Sequence, residues 1–331
     1  MKVTELKKML NEVDDILISK KIISEVYQLV SNDKKREADL LIKKIIKENV
    51  KKKDNQEEDP FKTLSEEINS FLENACAGNY YSSNKVISKS DRYNWVSIFK
   101  GYLNKLDEIT PDSKDYREVV DLYFKLYQLI CNACRYRIFI TDDESIFDCL
   151  GICQSVLYKK LVKKVLDVDY TDIDVCNLAI LASTGGLNYD SLYDDQQAVL
   201  VSLFKTKDNI NKIIKETAGF MKTLNDKLDT VDYLSNIYFA LQCDINSFNN
   251  LLFMCRLKLK EYDKAINDYF ENSKERDDEV TLYCALKITN WFTKNEKLWL
   301  QYYEYGINEK KIEPRDTLVE KYKELKKKLK H

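Results

Sequence analysis

Tyr116-Arg117-Glu118-Val119-Val120-Asp121-Leu122-Tyr123-Phe124-Lys125-Leu126-Tyr127-Gln128-Leu129-Ile130-Cys131-Asn132-Ala133-Cys134 opens the stretch, Tyr116–Leu166, whose reading decides the fold. Tyr116, Val120, Phe124, Tyr127, Cys131, Cys134 and Ile138 recur at spacings of three and four, which places them on one apolar helix face. Thr110 is the expected cap of this helix, with Pro111 at the first helical position, where no amide donor is needed. The run Ile140-Thr141-Asp142-Asp143-Glu144 reads as a tight polar turn, and Thr141 and Glu144 have the spacing of a capping box. Ile146, Cys149, Leu150, Cys153 and Leu157 then form the face of a second helix. The stretch is an expected antiparallel helical hairpin.

Four of the nine cysteines lie in it. Cys134 and Cys149 are nearly equidistant from the turn at Thr141–Asp142, and so are Cys131 and Cys153. In an antiparallel pair the four sulfurs converge between the helices. The first reading is core packing, because free cysteine behaves as a small apolar residue. The second is a metal site at Cys131, Cys134, Cys149 and Cys153, holding zinc or an iron–sulfur cluster. The spacing Cys-x2-Cys-x14-Cys-x3-Cys is close to structural zinc patterns, although those sit on knuckles rather than apolar helix faces. The third is a redox-sensitive thiol pair.

Composition extends the helical reading outward. The chain has 331 residues, 44% apolar and 33% charged, with only 7 Gly and 3 Pro. So few turn residues argue against sandwiches, barrels and doubly wound folds and favour helices joined by short polar loops. The formal net charge of -2 supplies no global field for nucleic acid or an acidic membrane. The start, Met1–Leu6, lacks an apolar core of the signal-peptide kind, and no apolar run approaches membrane-span length. The cysteines are odd in number and do not form a disulfide framework, so a reducing cytoplasm is the expected location and no membrane the expected partner.

Taken in order, residues 1–50 read as a small N-terminal helical unit and 51–60 as a charged linker, Lys51-Lys52-Lys53-Asp54-Asn55-Gln56-Glu57-Glu58-Asp59-Pro60. Residues 61–246 read as an irregular helical-repeat region. Thr63 and Glu66 have capping-box spacing ahead of a helix that stops near Gly78; Tyr80 and Tyr81 follow, expected to pack over a neighbouring helix; Trp95, Phe99, Tyr102 and Leu106 mark another helix. Beyond the hairpin, Thr171 and Asp174 repeat the capping pattern, and Ser183-Thr184-Gly185-Gly186 ends that helix, with glycine expected as a left-handed cap. Asp190 or Ser191 is the expected start of the next helix and Asp208 the expected cap of the one after it. Tyr233, Ile237, Tyr238 and Leu241 form a further helix face.

In the C-terminal region, 247–331, Leu251-Leu252-Phe253-Met254, Lys260-Glu261-Tyr262-Asp263-Lys264-Ala265-Ile266 and Tyr269 resemble one tetratricopeptide repeat. Leu252 stands at the first-helix apolar position, Ala265 at the small position and Tyr269 at the large second-helix position. A step of 34 residues places Leu286 and Tyr303 in matching positions, with Trp299 replacing the alanine. The resemblance covers roughly 249–306 and implies helical hairpins stacked as an α-solenoid of tetratricopeptide or HEAT type. From Pro314 a last helix carries Leu318, Tyr322 and Leu325 into a lysine-rich end, which either complements the helix dipole or serves as a nucleic-acid tail.

The only histidine is His331, which removes serine–histidine and cysteine–histidine catalysis and histidine metal sites. Asp142-Asp143-Glu144-Ser145-Ile146-Phe147-Asp148 resembles the aspartate-rich magnesium motif of prenyl-diphosphate enzymes, with Asn225-Asp226 as an ill-formed second motif. The expected fold is all-α. The expected function is a non-catalytic scaffold or adaptor without a cofactor, binding a peptide or protein partner on a helical-repeat surface. The alternatives are a metal- or redox-responsive regulator at the four cysteines, a carboxylate magnesium enzyme, and a helical-repeat nucleic-acid binder.

Overall fold

The computed structural model describes residues 59–141, 144–187 and 192–329. The expected N-terminal unit and nearly all of the charged linker lie outside the described residues, as do Asp142, Asp143 and His331. Ser65–His331 form one compact unit. Among the described residues the secondary structure is helical throughout, with no strand. None of these helices is long and apolar enough to cross a membrane.

The first helix, α1 (Pro60–Cys76), begins earlier than Thr63. Asp59 accepts from the Phe61 amide through its side chain and from the Thr63 amide through its carbonyl, and Pro60 takes the first helical position, where it gives up no bond. Gly78, at φ 75°, turns the chain out of α1. Tyr80 then packs on Phe71 at 5.0 Å, whereas Tyr81 stays exposed. After the single turn α2 (Lys89–Tyr93), α3 (Trp95–Glu108) buries Trp95, Phe99, Leu103 and Leu106.

The central helix, α4 (Tyr116–Ala133), starts six residues after Thr110. Residues 111–115 instead form turns, tied by the Ser113 amide to the Thr110 carbonyl and the Tyr116 amide to the Ser113 carbonyl. Burial exceeds the expected single face: Val119, Leu122, Tyr123, Leu126 and Ile130 join Tyr116, Val120, Tyr127 and Cys131 inside. Each such fully buried aliphatic or aromatic side chain contributes roughly 1.5–3 kcal/mol. Past α4 the chain folds back so that Phe139 stacks on Trp95 at 4.2 Å and Trp95 Nε1 donates to the Ile140 carbonyl.

The second arm of the hairpin departs from expectation. Its cap is Ser145, which accepts from the Asp148 amide, rather than Thr141. The helix is also broken in two, α5 (Ile146–Leu150) and α6 (Gln154–Leu166). Gly151, left-handed at φ 54°, ends α5 and re-aims the chain.

Next come α7 (Asp172–Thr184), α8 (Tyr193–Leu203), α9 (Lys207–Leu228) and α10 (Asn236–Leu259). Thr171 and Asp174 form the expected capping box of α7, and Arg117 from α4 reaches the same Asp174 carboxylate with two bonds of 2.8 and 2.7 Å. The first helical residue of α8 is Tyr193, without a side-chain cap; Asp190 and Ser191 lie outside the described residues. The cap of α9 is Thr206, not Asp208, and it accepts from the Asn209 amide. In α10, Leu241, Ile245, Phe248 and Leu252 form one continuous stripe packed on α9, so the helix runs unbroken across the expected boundary at 246/247.

The last elements are α11 (Tyr262–Asn272), α12 (Asp278–Ile288), a π-helical turn (Thr289–Thr293), α13 (Glu296–Asn308) and α14 (Asp316–Lys328). From α6 onward the helices pack on others one or two places away in the chain: α8 on α6 and α7, α9 on α7, α10 on α8 and α9, α11 on α10, α12 on α11, α13 on α12 and α14 on α13. Leu252, Ala265, Tyr269, Leu286, Trp299 and Tyr303 are all buried. The second helices of the two pairs also meet, with Phe270 and Tyr305 at 5.9 Å and Tyr305 donating to Asn267 Oδ1. Packed neighbouring helices of this kind are compatible with a helical repeat.

Candidate functional site

The break at Gly151 separates the second pair of hairpin cysteines, leaving Cys149 in α5 and Cys153 ahead of α6. Cys149 and Cys153 no longer share a helix face. Cys131 is buried in α4, Cys134 ends that helix half-buried, Cys149 is half-buried in α5 and Cys153 is exposed ahead of α6. Burial pushes the Cys131 thiol up to about 12 and Cys134 up to about 11. Cys149 is raised by burial and then by Glu144, whereas Cys153 is lowered by the Ser155 hydroxyl at 3.2 Å. Among the described residues no group of three or more His, Cys, Asp or Glu is placed to hold a metal ion.

What surrounds Cys131 is a backbone lock. Gln154 Nε2 donates to the Gly186 carbonyl at 2.8 Å and lies 3.9 Å from Cys131 Sγ. A Cβ on Gly186 would stand 1.8 Å from the Cys131 carbonyl oxygen. Gly185, at φ -57°, is not the left-handed cap its position suggested. The glycines are there because the end of α7 presses against the end of α4, which leaves no room for side chains.

A different surface carries the features of a binding site. Two depressions, of about 1030 and 520 Å³, lie side by side over α8, α10, α12 and α14. The larger is lined by Tyr193 of α8, Tyr233 and Leu234 ahead of α10, Phe239, Gln242 and Asn246 of α10, and the α11–α12 loop. The smaller is lined by Asp195, Tyr283, the π-turn residue Trp291, Trp299 and Lys321. The two adjoin at Leu192, Asp194 and Lys287, which line both and form the saddle of a two-part groove.

The apolar character of this groove is exposed, not structural. Of its lining, Tyr233 is 67% exposed, Leu234 70% and Phe239 54%, within seven consecutive residues, and Ile237 beside it is 58% exposed. These lie at the α9–α10 connection and the start of α10. Trp291 is 42% exposed, while Trp95 and Trp299 are each 1%. Trp291 sits in the π-helical turn Thr289–Thr293; such turns recur at functional sites. Around this surface the polar scaffold is fixed: Gln197 Nε2 bonds Ser183 of α7 and the Ser247 carbonyl of α10, Asn246 holds Glu275 and the Lys274 amide, and Asn250 accepts from Tyr269.

The saddle is charged. Asp194 is 17% exposed and Lys287 53%, and they stand 3.9 Å apart. Burial raises the Asp194 carboxyl above the usual carboxylate range; Lys287 and a hydrogen bond from Asn250 oppose that shift.

The sequence carried a signal for this groove that periodicity alone does not use. Tyr233-Leu234-Ser235-Asn236-Ile237-Tyr238-Phe239 holds five large apolar residues in seven. One helix face takes only about half of such a run. The lysine-rich end is partly engaged on its own chain: Lys321 lies 5.0 Å over Trp299, Lys326 pairs with Glu304 and Lys328 with Glu296. Models of known protein families, curated proteins and solved structures give no match to this chain.

Proposed function

We propose that the chain is a non-catalytic interaction protein whose helix pairs stack as an α-solenoid of tetratricopeptide-like type and whose α8–α10–α12 groove binds a peptide segment of a protein partner. The observation that carries this reading is the pair of adjoining depressions lined by exposed Tyr233, Leu234 and Phe239 in one and Trp291 in the other. Exposed large aromatic residues are costly on a monomer surface and are enriched where partners bind.

The test is a random peptide library displayed on phage and selected against the full chain. Clones that bind the wild type and are lost on Leu234→Asp and Phe239→Asp support the reading. Absence of enrichment, or clones that bind both variants as well as the wild type, contradicts it.

A further inference from the structure

The saddle of the groove indicates what kind of peptide fits. Asp194 is the more buried partner of a loose pair. A carboxylate held away from water, with a lysine at 3.9 Å and one amide donor, has acceptor capacity left for a closer cation. Lys287 is mostly solvated and can swing aside at little cost. The lining also carries Lys274, Glu275, Arg276 and Lys321, so the preference is set by burial and not by net charge: a ligand cation at the buried Asp194 recovers the cost of desolvation, whereas an anion at the more solvated Lys287 gains less over water.

The aromatic walls have the same preference. Arg315 already sits 4.2 Å over Tyr283, and Lys321 5.0 Å over Trp299. Trp291 lines the same depression as Asp194 and Asp195 and, among the described residues, has no cation over its ring. Indole is the strongest of the aromatic cation acceptors.

We propose that the occupant of the groove is a peptide segment presenting a lysine or arginine between large apolar residues, its cationic head at Asp194 and Asp195 and its stem along Trp291. This rests on the peptide-binding reading above. The flanking apolar residues lie against Leu234 and Phe239 on one side of the saddle and in the Trp291 depression on the other.

The test uses three fluorescein-labelled peptides that differ only at one central residue, lysine, norleucine or glutamate, between leucine and phenylalanine flanks. Binding to the full chain is read by anisotropy. The lysine peptide binds about tenfold or more tighter than the norleucine peptide, the size of a hydrogen bond to a buried charge. Asp194→Asn, which keeps the shape, brings the two to near equality, and Lys287→Met tightens the lysine peptide several-fold. A glutamate peptide that binds tightest, or a lysine advantage unchanged in Asp194→Asn, overturns the proposal. If none of the three binds while library selection still yields groove-dependent clones, the basic-peptide inference fails and the groove reading stands; if selection fails as well, both fall.

Discussion

Asp194 and Lys287 face each other at 3.9 Å across the saddle of the groove, and the carboxylate is the buried partner. This loose pair leaves Asp194 with a raised titration in the folded chain, set chiefly by burial. An acid whose folded pKa lies above its unfolded value binds the proton more tightly when folded. Its contribution to stability is therefore most favourable below the unfolded pKa and is lost as pH rises through the folded pKa. Asp194→Asn is expected to be more stable than the wild type at neutral pH, with the difference shrinking as the pH falls toward the ordinary aspartate range. Urea unfolding of both proteins across that range checks it; a wild type more stable than the variant at neutral pH contradicts the burial account.

Gly186 and Gly101 form a matched pair of opposite sign. A methyl group on Gly186 meets the Cys131 carbonyl oxygen at 1.8 Å, and that oxygen is backbone and cannot step aside. Gly186→Ala is expected to cost about 4 kcal/mol or more, in the range reserved for severe backbone or core disruption. Gly101 lies inside α3 with nothing within 4 Å of an added Cβ. Gly101→Ala is expected to stabilise by about 0.5–1 kcal/mol through helix propensity. Thermal unfolding of the two single variants separates them.

The cysteines are expected to label in an order set by burial and environment. Cys153 is exposed, and its thiol is lowered by Ser155 and nearby backbone amides, so it reacts first with a thiol reagent near neutral pH. Cys76 and Cys243, also exposed, follow. Cys131 and Cys255 are buried and react only on unfolding. Mass spectrometry of partially labelled protein reads the order directly. Rapid labelling of Cys131 in the native protein would show that the α4–α7 contact opens.

Much of the fold was legible because it depends on local periodicity. The α3 stripe from Trp95 to Leu106, the Thr171–Asp174 capping box and the burial of Leu252, Ala265 and Tyr269 follow from spacing and cap chemistry. Boundaries failed where a competing local bond took over. Ser145 displaced Thr141 as a cap, Thr206 displaced Asp208, and Gly151 broke a helix whose face otherwise ran through Cys149 and Cys153. The same break takes Cys149 and Cys153 off one shared helix face. The groove was hidden for a different reason. Leu192, Asp194, Leu234, Lys287 and Trp291 lie far apart in the chain, and only the packing of α8, α10 and α12 brings them together.

The residues that give the groove its apolar character are expected to be dispensable for folding. Leu234 and Phe239 are exposed, so Leu234→Asp and Phe239→Asp are expected to change stability by no more than about 0.5 kcal/mol. Circular dichroism and denaturant midpoints close to those of the wild type are the expected result. A large loss of stability would mean that these side chains serve the core and not a partner.

The most direct measurement is acrylamide quenching of tryptophan fluorescence with and without a selected peptide. Only Trp291 of the three tryptophans is open to solvent, so the quenchable signal reports on the groove. A bound peptide is expected to shield Trp291 from acrylamide, with the shielding reduced in Leu234→Asp and absent in Trp291→Phe. A peptide that binds the chain yet leaves Trp291 as open to acrylamide as in the free protein would contradict the groove as the binding site.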